Sequence, residues 1–146
     1  GFYMGLLYFT AALSQVFLGA LADKVGSKKL MVSGLGVGGL SYLSLICFSG
    51  VLPLYLLGAF QGVFFAAADL SMMTYLMTII PKDSSGKAMG IYGLSEDIGG
   101  MVASTSVGMV YDMMGPVSSV LFVSTVLVCN AVLSVFLVRV DDPHRK

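Results

Sequence analysis

Residues 1–51 read GFYMGLLYFTAALSQVFLGALADKVGSKKLMVSGLGVGGLSYLSLICFSGV, two long apolar runs on either side of one charged segment. The apolar runs cover residues 2–21 and 30–51. As a helix, each run is long enough at about 1.5 Å per residue to cross the ~30 Å hydrocarbon core of a bilayer. Neither run alternates at period two, which excludes transmembrane β-strands. This stretch therefore predicts two transmembrane helices joined by a polar loop.

The rest of the chain repeats this pattern, with further apolar runs at residues 54–80, 88–111 and 117–138. Hydrophobic residues make up 57% of the sequence and charged residues 11%, and the mean hydropathy is +0.92. A soluble domain carries about 25% charged residues, which it needs to cover its surface. We therefore predict an all-α membrane protein in which residues 1–138 form a bundle of five transmembrane helices and residues 139–146 form a tail.

The Lys and Arg residues indicate how these helices are oriented. All eight fall at one face of the membrane if the five spans alternate in direction. They are Lys24, Lys28, Lys29, Lys82, Lys87, Arg139, Arg145 and Lys146. Because basic loops remain in the cytoplasm, we expect a multi-pass protein of the plasma (cell inner) membrane with these loops and the tail in the cytoplasm. The net charge of zero gives no indication of a nucleic-acid partner.

The first basic loop combines glycine, aspartate and lysine in the order GALADKVGSKK, residues 19–29. Gly19 permits close approach of a neighbouring helix, and Gly26 permits a tight reversal of the chain. Asp23 can lie against the N-terminus of a neighbouring helix, where partial positive charge favours a carboxylate. The lysines can contact anionic lipid headgroups; they are Lys24, Lys28 and Lys29.

This loop resembles the signature loop of the major facilitator superfamily, G-x-L-a-D-R/K-x-G-R/K-R/K, with Ser27 at one basic position. The resemblance extends over all five spans. It implies a transporter of two six-helix halves that alternates access to a central site, and a loop that clasps the other half and is released during the cycle. The chain begins with Gly1 inside an apolar run, so we expect a fragment whose partners include the missing half of the same transporter.

The resemblance implies either helices two to six or helices eight to twelve, because five spans begin just before the signature loop. N-terminal halves of the family usually carry R-x-x-x-G in the fourth helix, whereas residues 58–62 read GAFQG. Their fifth helix usually carries Gly-Pro before Gly-Gly, whereas residues 96–100 read EDIGG. The chain also ends eight residues after Val138. These features favour the C-terminal half, helices eight to twelve.

Three carboxylates lie deep within the predicted spans: Asp69, Glu96 and Asp97. Counting residues from the basic loops places all three about 14–17 Å from the cytoplasmic face, near the midplane. Transporters of this kind bind substrate at that depth. An intramembrane carboxylate is costly, so these residues are candidates for binding a proton or a cationic substrate group. The alternative is a carboxyl group hydrogen-bonded to a neighbouring helix for packing alone.

Small residues recur every three or four positions along the fourth span. This spacing places them on the same side of the predicted helix as Asp97. The glycines predicted to pack against another helix are Gly86, Gly90, Gly93 and Gly100. No Lys, Arg or His lies inside any span. A cationic or apolar substrate is therefore favoured over an anionic one.

Our leading hypothesis is a secondary active transporter that moves a small molecule and is coupled to protons. Efflux of a cationic or apolar compound is one form that this transport could take. The alternative is a non-transporting interaction or assembly module with the same fold. A third class, an intramembrane enzyme, lacks a recognisable nucleophile or catalytic constellation, so we predict no enzyme and no cofactor. Cys47 and Cys129 lie in apolar runs without a nearby His and predict no metal site.

Overall fold

The computed structural model describes residues 1–48 and 50–138. Within these residues the chain forms five α-helices and a 3-10 turn at Lys82–Ser84, and no strand. The helices are α1 (Phe2–Val25), α2 (Ser27–Cys47), α3 (Val51–Ile79), α4 (Ser85–Met114) and α5 (Pro116–Leu137). The all-α prediction is confirmed. The predicted tail, residues 139–146, lies outside the described residues.

Two single glycines reverse the chain between helices. Gly26 joins α1 to α2 with φ +93°, and Gly115 joins α4 to α5 with φ +84°. Residues with a side chain rarely adopt this left-handed backbone conformation, so glycine suits both positions. Each glycine amide also bonds a carbonyl of the preceding helix, Gly26 to Ala22 at 2.9 Å and Gly115 to Tyr111 at 2.9 Å. Pro116 then occupies the first turn of α5, where it leaves no helical hydrogen bond unmade.

Close approach of backbones fixes how α1, α2 and α3 pack. A Cβ added at Gly62 of α3 would overlap the hydroxyl of Thr10 and the carbonyl of Leu7 in α1. On α2, a Cβ added at Gly34 would lie 2.8 Å from the amide nitrogen of Ala68 in α3. Small residues therefore allow α3 to pack on both helices without side chains between the backbones, as membrane helices do.

The α2–α5 interface contains a hydrogen bond as well as close packing. The buried Ser124 hydroxyl donates to the carbonyl oxygen of Gly39 at 2.7 Å. A Cβ added at Gly39 would lie 2.9 Å from that of Leu127.

The contacts show that α1, α3 and α5 run in one direction and α2 in the other. We call the end at which α1, α3 and α5 terminate the basic end, because Lys24, Lys28 and Lys87 lie there.

Helix α4 differs from the other four. It packs mainly against α5, and none of its residues is buried. Among the described residues, α1, α2, α3 and α5 are long and apolar enough to cross a membrane, whereas α4 is long enough but more polar. Elsewhere large apolar side chains face outward, for example Val16 and Phe17, each 77% exposed. Hydrocarbon tolerates such a surface, whereas a polar helix needs protein or water beside it.

Candidate functional site

A cavity of about 330 Å³ opens beside α3 and reaches α1, α2, α4 and α5. Its walls are mostly apolar and include Leu35, Phe64, Met72, Val123 and Leu127. Four polar side chains also line it, and these are Tyr42, Gln61, Asp69 and Glu96. An apolar cavity with a few convergent polar groups is the usual form of a small-molecule site.

Asp69 and Glu96 lie on two walls of this cavity, α3 and α4. The hydroxyl of Tyr92 in α4 donates to Asp69 Oδ1 at 3.4 Å, a long and weak hydrogen bond. Tyr92 lies one helical turn before Glu96, so the same face of α4 presents both groups. The structure therefore brings Asp69 and Glu96 to one cavity.

Asp97 is placed differently from Glu96, its neighbour in sequence. One residue corresponds to about 100° around a helix, and Asp97 does not line the cavity. Its side chain is exposed, as is that of Glu96. Of the three carboxylates predicted to lie at one depth, two therefore line the cavity, and the third lies on the open side of α4.

Gln61 is a polar group that sequence reasoning missed. Its side chain is only 2% exposed, and its Oε1 accepts a hydrogen bond from the hydroxyl of Tyr3 in α1. Its Nε2 has no partner among the described residues, and the side chain borders the cavity. A buried unpaired amide is costly. The available signal was a lone amide between Gly58 and Gly62 in an otherwise apolar run.

The residues of the signature loop do not share one environment. Asp23, Lys24, Gly26 and Lys29 are exposed, and a Cβ added at Gly19 would meet no atom within 4 Å. Lys28 is half-buried and donates from Nζ to the carbonyl oxygen of Val135 in α5 at 2.7 Å. One lysine of the loop is therefore bound within this chain, whereas its neighbours face outward.

The glycine stripe of α4 lies on an open surface. A Cβ added at any of the four predicted packing glycines would meet no atom of another described residue within 4 Å. These are Gly86, Gly90, Gly93 and Gly100. Their packing against another helix stays a prediction.

The cysteines and carboxylates form no metal-binding arrangement in the part of the chain that the structure describes. No group of three His, Cys, Asp or Glu residues there could hold a metal ion. Cys47 and Cys129 are free, exposed thiols.

The sequence model of the Major Facilitator Superfamily matches residues 1–146, the entire chain. The protein belongs to the Major Facilitator Superfamily. No solved structure matches the chain. Membership makes this an integral, multi-pass membrane protein of the transporter class, with a lipid bilayer around it and a small molecule as its substrate. In a major facilitator protein, carboxylates beside a cavity can hold a proton or pair with a cation.

Proposed function

We propose that this chain is part of a proton-coupled major facilitator transporter that moves a small cationic or apolar molecule, with efflux as one form of this activity. The observation that carries the proposal is the presence of Asp69 and Glu96 on two walls of one cavity. Tyr92 donates to Asp69 from the helix that bears Glu96, so protonation of Asp69 would alter a contact between α3 and α4.

The charges around the cavity support a cationic or neutral substrate. Among the described residues, its lining includes two carboxylates and no Lys, Arg or His. Hydrocarbon disfavours an isolated charged carboxylate, so each carboxylate gains from a bound proton or a cationic partner. Exchange of one for the other would couple substrate movement to a proton gradient.

We further propose that the chain is the C-terminal half of the transporter. Its basic end then faces the cytoplasm, and the protein lies in the plasma (cell inner) membrane. The absence of Arg in residues 58–62 supports the assignment of the half. The lysines at the basic end support the orientation. In this arrangement the exposed Asp23, Lys24 and Lys29 can contact the other half, and the glycine stripe of α4 can pack on it.

The test is transport by the full-length protein in proteoliposomes under an imposed pH gradient, with ethidium as the cationic probe and a trapped pH dye to report protons. Asp69→Asn and Glu96→Gln should each abolish proton-driven ethidium movement. Asp112→Asn is the matched control, because Asp112 is an exposed carboxylate near the far end of the same helix α4. Asp97→Asn shows whether a carboxylate outside the cavity contributes.

Unaltered coupling in both Asp69→Asn and Glu96→Gln would remove these residues from the proposal. Movement of neither ethidium nor protons by the wild-type protein would favour the non-transporting membrane module.

A further inference from the structure

The hydrogen bond between Lys28 and Val135 joins two helix ends that are far apart in sequence. Lys28 is the second residue of α2, and Val135 lies in the last turn of α5. The ammonium Nζ lies 2.7 Å from the Val135 carbonyl oxygen. This short separation is typical of a charge-assisted hydrogen bond.

The end of α5 is a favourable place for this cation. The final carbonyls of a helix lack the amide partners that interior carbonyls have, and they carry partial negative charge. The amide of Val138 bonds the carbonyl of Ser134 at 3.2 Å, and the next carbonyl along the helix, that of Val135, receives the ammonium of Lys28. Lys28 thus continues the hydrogen bonding of α5 with a side chain from α2.

The same two helices are joined again deeper in the bundle, where Ser124 donates to Gly39. The two hydrogen bonds lie eleven residues apart on each helix, which is about 16 Å along the helix axis. Between them, a Cβ added at Gly36 would lie 3.7 Å from that of Ala131. Lys28 therefore completes an interface that continues from the interior to the basic end.

The neighbouring basic residues of the signature loop have no such role. Lys24 and Lys29 are exposed, and neither side chain is hydrogen-bonded to another described residue. Gly26, two residues before Lys28, is the reversal at φ +93°. The loop is therefore divided: Asp23 and Lys24 belong to the end of α1, whereas Lys28 belongs to the α2–α5 pair.

We propose that Lys28 is a positioning residue that holds the basic end of α5 against α2, so that these two helices move as one body during transport. Its role in movement rests on the proposed transport function, whereas its role in holding α5 does not. Lys28 acts through the α5 backbone, at the basic end of the bundle and away from the cavity. It therefore controls the rate of the conformational step and not the affinity for substrate.

The test compares Lys28→Met, Lys28→Arg and Lys29→Met in the full-length protein. Hydrogen exchange is measured over the last turn of α5 without substrate, and ethidium transport is measured in proteoliposomes. Lys28→Met should speed exchange there about fivefold, as expected for loss of one charge-assisted hydrogen bond at a helix end. It should also lower the maximal transport rate with KM unchanged. Lys28→Arg, which keeps a cationic donor, should restore both. Lys29→Met is the control for exchange alone, and it should leave the exchange of α5 unchanged.

Equal exchange in Lys28→Met and Lys29→Met would overturn the proposal, because it would reduce Lys28 to one charge among several at the membrane surface. A change in KM instead of the maximal rate would overturn it as well. If Lys28→Met does not fold, Lys28→Gln, which keeps a neutral donor, replaces it. Exchange in Lys28→Gln should be faster than in the wild type and in Lys29→Met, but by less than fivefold. If the wild-type protein moves neither ethidium nor protons, the proposed function alone is contradicted, since exchange still decides whether Lys28 holds α5.

Discussion

The Tyr92 hydroxyl of α4 donates a hydrogen bond to Asp69 Oδ1 of α3 at 3.4 Å. These two helices otherwise pack little on each other, since α3 packs on α1 and α2, and α4 on α5. Asp69 is half-buried and Glu96, one turn after Tyr92, is exposed. Tyr92 of α4 is thus joined to Asp69 of α3 by a weak contact that can open without loss of buried packing.

A double-mutant cycle with Tyr92→Phe and Asp69→Asn tests how weak this contact is. We expect a coupling energy below about 1 kcal/mol, because a hydrogen bond of this length is poorly formed. The measurement is thermal unfolding of the full-length protein in detergent for wild type, both single variants and the double variant. A coupling energy of several kcal/mol would mean that the contact locks the two helices together.

Gly62→Ala should destabilise the protein by about 3 kcal/mol, because the added methyl group would overlap the Leu7 carbonyl, a backbone atom that cannot rotate away. Thermal unfolding measures the effect. The matched control is Gly5→Ala on α1, where a Cβ would meet no atom within 4 Å. That control should be neutral or slightly stabilising, since Ala is the better helix former. Equal shifts in the two variants would contradict the α1–α3 packing.

Gln61→Leu should change stability by less than about 1 kcal/mol in either direction, because it removes an unpaired buried amide together with the hydrogen bond from Tyr3. Tyr3→Phe removes only the hydroxyl partner and leaves the whole Gln61 amide unpaired, so it should destabilise by about 1–3 kcal/mol. Thermal unfolding of both variants gives the comparison. If Gln61→Leu proves much the more damaging of the two, Nε2 has a partner in the full-length protein.

Gly90→Leu tests the predicted packing of the α4 stripe against the other half. Within this chain the position is open, with no atom within 4 Å of an added Cβ. In the full-length protein, a helix packed there would be displaced, and we expect a loss of about 1–3 kcal/mol from overpacking. Gly99→Leu is the control, an equally open glycine of α4 outside the stripe. Similar melting temperatures for the two variants would count against packing along the stripe.

The helices themselves follow from local sequence. Apolar runs of about 20 residues have one favourable structure in hydrocarbon, because a helix satisfies its own backbone hydrogen bonds. The reversal at Gly26 also follows from local chemistry, since only glycine adopts φ +93° without strain. The depth of Asp69 and Glu96 could be counted along each helix from the basic loops, at a fixed rise per residue.

Which groups meet across helices depended on the tertiary structure. Nothing in the sequence distinguishes Lys28 from Lys29, yet only Lys28 reaches the Val135 carbonyl, because α5 packs beside that face of α2. The pairing of Gln61 with Tyr3 likewise required the close approach of α1 and α3. Along one helix, periodicity determines which side chains share a face. The rotation and register of one helix against another arise from packing of small residues over the whole interface, and these decided the contacts of Asp69, Gln61 and Lys28.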